Sequence, residues 1–308
     1  MVAKLKEISA KDAATHLKEV QDVFKLLVKK DAYKSGFSED KKAILKVFES
    51  IKGVSITDIL VRLTLIDSMY STQMSRRYYA LDELATALFK LSGGKDGKLE
   101  QMFLDFAAAP EQKVHLFDYE ERDDKGNTVC KNLFSDCYGI GKGGADKGVA
   151  ISLISKYAYF ETNFKFPIYD SIACEMYPLV WHFCGFGKDK PKLIHSENGK
   201  VVGDRTMVEY VKAINLLIDK IDCKEVNYDL LDRFLWFVGK IRRGNLSLVL
   251  SREEYIATIN VFKAQNVKEE SSEYFNIEKA DLSKLTYLKK NSLLCKFFEL
   301  ARLYGHKK

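Results

Sequence analysis

Apolar residues recur at helical spacing along almost the whole chain, and that regularity argues against most β architectures before any motif is considered. Leu17, Val20, Phe24 and Leu27 share one face of a helix that opens with Ser9 and Asp12, a start signal of the capping-box kind. Ile44, Phe48 and Ile51 mark a second helix, which Gly53 stops. Thr57 is placed to cap a third, carrying Ile59, Leu63 and Ile66. Met74, Tyr78, Leu81, Ala85 and Leu88 form the cleanest stripe, ended by Gly93-Gly94. Further helices are expected over 149–160, 172–182, 207–221, 230–241, 256–262 and 293–304. Strand signals are few. Asn198-Gly199 is a two-residue hairpin turn, and Lys125-Gly126-Asn127 centres a second hairpin within VHLFDYEERDDKGNTVC. The expected fold class is mainly α, with one or two small β-hairpin excursions.

Composition narrows the functional classes. With 46% hydrophobic and 30% charged residues, the chain can build a globular core. No apolar run approaches the roughly 18 residues of a membrane span, so no membrane partner is expected. The start, MVAKLKEISAKDAATHLKEV, lacks the apolar block of a secretory signal, which makes the cytoplasm the expected compartment. Six cysteines without a CxxC pair read as reduced residues rather than as a disulfide framework. Cys174, His182, Cys184 and His195 have no familiar ligand spacing, so neither metal nor cofactor is expected. The formal net charge of +6 permits a polyanionic partner without requiring one.

Three segments carry residues suited to chemistry. In LTLIDSMYSTQMSRRYYALDELATALFKL, the polar cluster Ser71-Thr72-Gln73 interrupts two apolar stripes. It can cap the second helix, or it can project Gln73, whose amide both donates and accepts, into a groove. In SLISKYAYFETNFKFPIYDSIACEMYPLV, Pro167 holds Phe166 extended, and a new helix starts at about Asp170-Ser171. Asp170 then either caps that helix or, kept ionised there, stabilises positive charge developing on a sugar. In YGIGKGGADKG, Gly139, Gly141 and Gly144 formally match GxGxxG, but no apolar strand precedes them and a dinucleotide fold is not expected. The segment reads as a flexible loop or as backbone amides that approach a phosphate, with Lys142 and Lys147 supplying charge.

Together, Ser71-Thr72-Gln73, Gly139-Ile140-Gly141 and Pro167-Ile168-Tyr169-Asp170 resemble the helix–hairpin–helix–Gly/Pro/Asp superfamily of DNA glycosylases. YSTQ, SKYAYFETNFKFPIYDS and LDRFLWFVGK are also similar to a group of bacterial proteins of uncertain function that look like its distant relatives. The resemblance covers roughly residues 55 to 245. It implies a two-lobed helical fold in which Gln73 plugs the duplex and Asp170 is the catalytic aspartate. The chain departs from the family in three ways. The hairpin lacks the Leu-Pro-Gly opening, the iron–sulfur cysteines are absent, and Ser152 stands near the place of the lysine nucleophile of bifunctional members. Lys147 and Lys156 lie five residues before and four after it.

The organisation expected from these readings is N-terminal helices over 1–54, a glycosylase-like core over 55–245 and a C-terminal helical extension over 246–308. The expected activity is removal of a damaged or phage-modified base from DNA by a monofunctional, monomeric enzyme. Asp170 would stabilise the oxocarbenium-like sugar. Gln73, Gly139, Gly141, Lys142, Lys147 and Lys156 would contact DNA, with Arg76 and Arg77 as further phosphate contacts. Tyr157, Tyr169, Trp181 and Trp236 would line the base pocket. The alternative is a catalytically silent DNA-binding or interaction module on the same fold.

Overall fold

The computed structural model describes residues 8–29, 36–51, 54–70, 72, 74–123, 125–140, 148–187, 189–193, 196–197, 200–201, 203–265, 281–286 and 293–303. Helical periodicity becomes helix over most of them. The order is α1 (Ala10–Lys29), α2 (Gly36–Ser50), α3 (Ile56–Tyr70), α4 (Ala80–Ser92), α5 (Lys98–Ala108) and α6 (Pro110–Lys113), then β1 (Asp118–Arg122) and β2 (Thr128–Asn132). α7 (Ile151–Glu161), α8 (Ser171–Phe183), β3 (Ser196–Glu197), β4 (Lys200–Val201), α9 (Gly203–Ile221), α10 (Tyr228–Arg242), α11 (Arg252–Ala264) and α12 (Leu293–Leu303) follow. The fold is mainly α.

Both hairpins form where turn chemistry places them. β1 pairs antiparallel with β2 from Asp118↔Asn132 to Arg122↔Thr128. The Asp123 carboxylate holds their turn by accepting from the amides of Lys125 and Asn127 at 3.0 and 2.8 Å. β3 and β4 pair on either side of Asn198-Gly199, which lie outside the described residues.

Three local expectations need correction. α3 is capped by Ser55, not by Thr57. The Ser55 hydroxyl accepts from the Asp58 amide at 3.2 Å, and the Asp58 carboxylate accepts from the Ser55 amide at 3.1 Å. The stripe from Met74 to Leu88 is not one helix. Met74 lies in a 3-10 turn, Tyr78 is 61% exposed, and α4 starts only at Ala80. The unexpected element is α5, which buries Leu99, Met102, Phe103 and Phe106 along one face.

The chain forms two compact units, one of residues 1–38, 171–190 and 216–308, the other of 39–170 and 191–215. In the first, Phe24 packs on Phe234 at 5.0 Å between ring centroids, and Phe237 stacks on Phe297 at 5.1 Å. Gly239 lets α10 lie against α8, since a Cβ there would come within 2.5 Å of Ile172 Cγ2. Arg242 and Arg243 both bind Glu175, whose charge survives partial burial because of them.

The second unit is built on aromatic packing. Phe117 lies 4.9 Å from Phe134 and 5.4 Å from Phe106, and Phe103 meets Phe166 at 5.4 Å. Arg62 of α3 and Glu161 of α7 pair at 3.2 Å inside it, with both side chains largely withdrawn from water. Among the described residues, no helix is long and apolar enough to cross a membrane.

Candidate nucleic-acid interface

The first two chemistry-bearing segments, and the third as far as Asp170, fall within the second unit, while residues 171–180 belong to the first. The first is anchored by Asp67, near the end of α3. Its buried carboxylate accepts from the Thr72 hydroxyl and from the amides of Met74 and Ser75, both at 2.9 Å. Burial alone would raise the Asp67 pKa. The bonds from Thr72, Ser75 and Met74 outweigh it and hold the carboxyl below its ordinary value. Asp67 thus ties Thr72, Met74 and Ser75 to the end of α3. Ser71 and Gln73 themselves lie outside the described residues.

The turn delivers the chain to the second segment. Tyr78 and Ile140 exchange backbone hydrogen bonds, each 3.0 Å, and Tyr138 bridges to Gly148. Arg77 donates to the Gly148 carbonyl at 2.7 Å. Gly139 has φ +77°, and a Cβ on it would lie 2.5 Å from Ala80 Cβ and 2.8 Å from the Tyr78 oxygen, so this position requires glycine. The Gly139 amide donates to Glu83 Oε2 at 2.8 Å. A carboxylate thus occupies the amide expected to meet a phosphate, which corrects the Gly139 assignment. Gly141, Lys142 and Lys147 lie outside the described residues.

This junction leaves two tyrosines in solvent. Tyr78 is 61% and Tyr79 67% exposed, and Tyr79 adopts φ +63°, a costly conformation for an aromatic residue. Arg76 beside them is exposed. Tyr79 also borders a cavity of about 400 Å³ lined by Asp82, Glu83, Tyr119, Lys131 and Tyr138. That cavity does not suit phosphate. Lys131 is engaged by Glu121 at 2.6 Å and Asp136 at 3.2 Å, and hydrogen bonds from Lys131 and Lys90 hold Glu121 down at about 2. The tyrosine pair was the signal missed in the sequence. Tyr78 fits a helical stripe by spacing, but the run Arg76-Arg77-Tyr78-Tyr79 directly after a polar break is a poor core face.

The third segment ends at Asp170. Phe166 and Ile168 are buried and pin it from the side-chain direction. Its backbone is fixed by the Tyr169 amide donating to Ser155 Oγ at 3.0 Å, and by the Tyr210 hydroxyl donating to the Ile168 carbonyl. α8 begins at Ser171, so Asp170 holds the position directly before the first helical residue, half-buried. Tyr169 is half-buried too, its ring edge-on to Tyr210 at 5.0 Å.

The remaining assignments are redistributed by burial. Every residue of α7 from Leu153 to Phe160 is buried, which takes Lys156 and Tyr157 inside. Lys156 is 4% exposed and donates to Ser152 Oγ at 2.7 Å, with its amine 5.6 Å above the Tyr70 ring. It is not a surface phosphate contact. Tyr157 is fully buried, with its hydroxyl accepting from Arg62 at 3.5 Å, and offers no face for stacking. Trp181 and Trp236 belong to the other unit. Trp181 is 2% exposed, and its indole N–H donates to the Gly187 carbonyl at 3.0 Å. Trp236 is half-buried against Phe237, with the Lys240 amine 5.6 Å over its ring. Among the described residues, no group of three or more His, Cys, Asp or Glu is placed to hold a metal ion. The chain matches no family model, no curated protein and no solved structure.

Proposed function

We propose that this chain is a monofunctional DNA glycosylase of the helix–hairpin–helix type, acting on a damaged or modified base. The observation that carries the reading is the setting of Asp170. It is half-buried, stands directly before a helix, and ends an extended segment whose backbone Ser155 and Tyr210 hold fixed. A carboxylate anchored in this way suits stabilisation of positive charge on a sugar as its base departs, and orientation of the attacking water. The exposed Tyr78-Tyr79 pair beside Arg76 supports contact with nucleic acid, because aromatic faces stack on bases while guanidinium groups meet phosphates. Gln73 fills the gap left by the flipped nucleotide. A single hydrolytic step is expected, since the Lys156 amine is buried against Ser152 rather than presented to an abasic sugar.

The same tyrosine pair would serve a DNA-binding module without chemistry, and this is the second reading. Incubating the protein with duplexes carrying a panel of alkylated, oxidised, deaminated and hypermodified bases separates the two. Abasic-site formation on one or more of them supports the glycosylase. Binding to all of them without base release supports the silent module.

A further inference from the structure

The cavity of about 400 Å³ beside Tyr79 is walled by α4 and the β1–β2 hairpin, and the glycosylase reading does not use it. Its volume is that of a small-molecule site. Most of its charged groups are spent on one another. Lys131 joins Glu121 at 2.6 Å and Asp136 at 3.2 Å, and the Tyr119 hydroxyl donates to Asp136 at 2.7 Å. Glu83 accepts from the Gly139 amide at 2.8 Å. The walls are thus fixed by bonds within the protein. Lys90 of α4 shows what such a lining can bind. Its ammonium sits 2.7 Å from Glu121 and 5.8 Å over the Tyr119 ring, held by a carboxylate and an aromatic face together. Asp82 and Tyr79 bring a second carboxylate and a second phenol ring to the same cavity. Neither is spent internally. Among the described residues the Asp82 carboxylate makes no ion pair and receives no hydrogen bond, and Tyr79 is 67% exposed.

We propose that this cavity binds a guanidinium group, carried by a small organic cation or by an arginine of a polypeptide. Asp82 takes two parallel N–H donors from the edge of the cation, and Tyr79 covers its flat face. A planar cation can meet a carboxylate at its edge and a ring at its face at once, which a compact, strongly hydrated ammonium cannot. The charge of the cavity agrees. Asp82, Glu83, Glu121 and Asp136 line it with Lys131, and Lys90 is the further amine that pairs with Glu121. Carboxylates therefore outnumber amines, and the ligand that restores balance is a cation rather than an anion.

The test is calorimetric titration of the full chain with n-butylguanidinium. No DNA is present, so the outcome is independent of the glycosylase reading. The cation should bind with a Kd below about 1 mM. n-Butylurea has nearly the same shape without the charge, and n-butylammonium has the charge without the plane. Each should bind at least about 10-fold more weakly. Asp82→Asn alters one exposed side chain and should cost the cation about 10-fold or more in affinity. Tyr79→Gly suits the left-handed backbone at φ +63°, so it removes the ring without straining the fold, and should weaken binding similarly. Tyr79→Phe should keep it. A parallel titration with acetyl-Gly-Arg-Gly-amide identifies the source. Tighter binding than n-butylguanidinium assigns an arginine of a polypeptide, and weaker binding assigns a small molecule. No binding of n-butylguanidinium at millimolar concentration, equal binding of n-butylurea or n-butylammonium, or wild-type affinity in Asp82→Asn would overturn the site.

Discussion

Asp67 and Asp170 are both carboxylates beside turns, and their sequence neighbourhoods look equally suited to capping. What separates them is what they hold. Asp67 accepts from the Thr72 hydroxyl and from the amides of Met74 and Ser75, so its charge is used structurally. Nothing in LTLIDSMYSTQ singles it out, because two of the donors are backbone amides and the third is the Thr72 hydroxyl, and their directions depend on the fold. Asp67→Asn keeps the shape but turns one acceptor into a donor, and should cost about 1–3 kcal/mol at neutral pH. Its folded pKa is depressed, so its contribution is full above the unfolded value near 3.8 and is lost as pH falls through the lower folded value. Urea unfolding of both proteins should therefore show a clear gap near pH 7 that closes toward pH 3. A gap independent of pH would mean that packing, not charge, is what the asparagine disturbs.

Elements were legible where periodicity and turn chemistry agreed. The hairpin at Lys125-Gly126-Asn127 forms as expected, and α8 starts where Pro167 and Asp170 place it. α5 was equally readable, since Leu99, Met102, Phe103 and Phe106 keep helical spacing. The stripe through Tyr78 misled for the opposite reason. Spacing alone cannot reveal that residue 78 pairs with Ile140, 62 residues on, instead of joining α4. That pairing depends on Gly139. Gly139→Ala must accept both a left-handed backbone and contacts of 2.5–2.9 Å with Ala80 and Tyr78, and should destabilise the protein by about 1–3 kcal/mol. Amide exchange should quicken at Tyr78 and Ile140 first. Unchanged exchange at both would remove the bridge from the account.

For the whole molecule, the helical class follows from the sequence pattern. The division into units does not, because chain segments distant in sequence build each of them. Arg62 and Glu161 illustrate what only tertiary structure decides. Burial raises the Glu161 pKa above its ordinary value, although Arg62 pulls it down. Arg62→Met leaves that carboxylate without its cation and should cost about 3–5 kcal/mol near neutral pH. Because a raised carboxyl pKa favours the fold at low pH and the benefit is lost as pH rises through it, the cost should shrink at pH 5, measured by urea unfolding. An equal cost at both pH values would assign the loss to the Phe48 and Tyr157 contacts of Arg62 instead.

The reading of the whole chain as a glycosylase turns on one carboxylate. Asp170→Asn preserves size at the start of α8 but cannot carry negative charge opposite a cation-like sugar, which should raise the barrier by about 3 kcal/mol or more. The decisive measurement is the single-turnover rate of abasic-site formation by both proteins on whichever modified duplex the wild type cleaves, with helicity and unfolding midpoint recorded alongside. The account predicts a rate at least about 100-fold lower in a variant that folds and binds DNA as the wild type does. Base release at the wild-type rate by Asp170→Asn would contradict it and leave Asp170 as a helix cap.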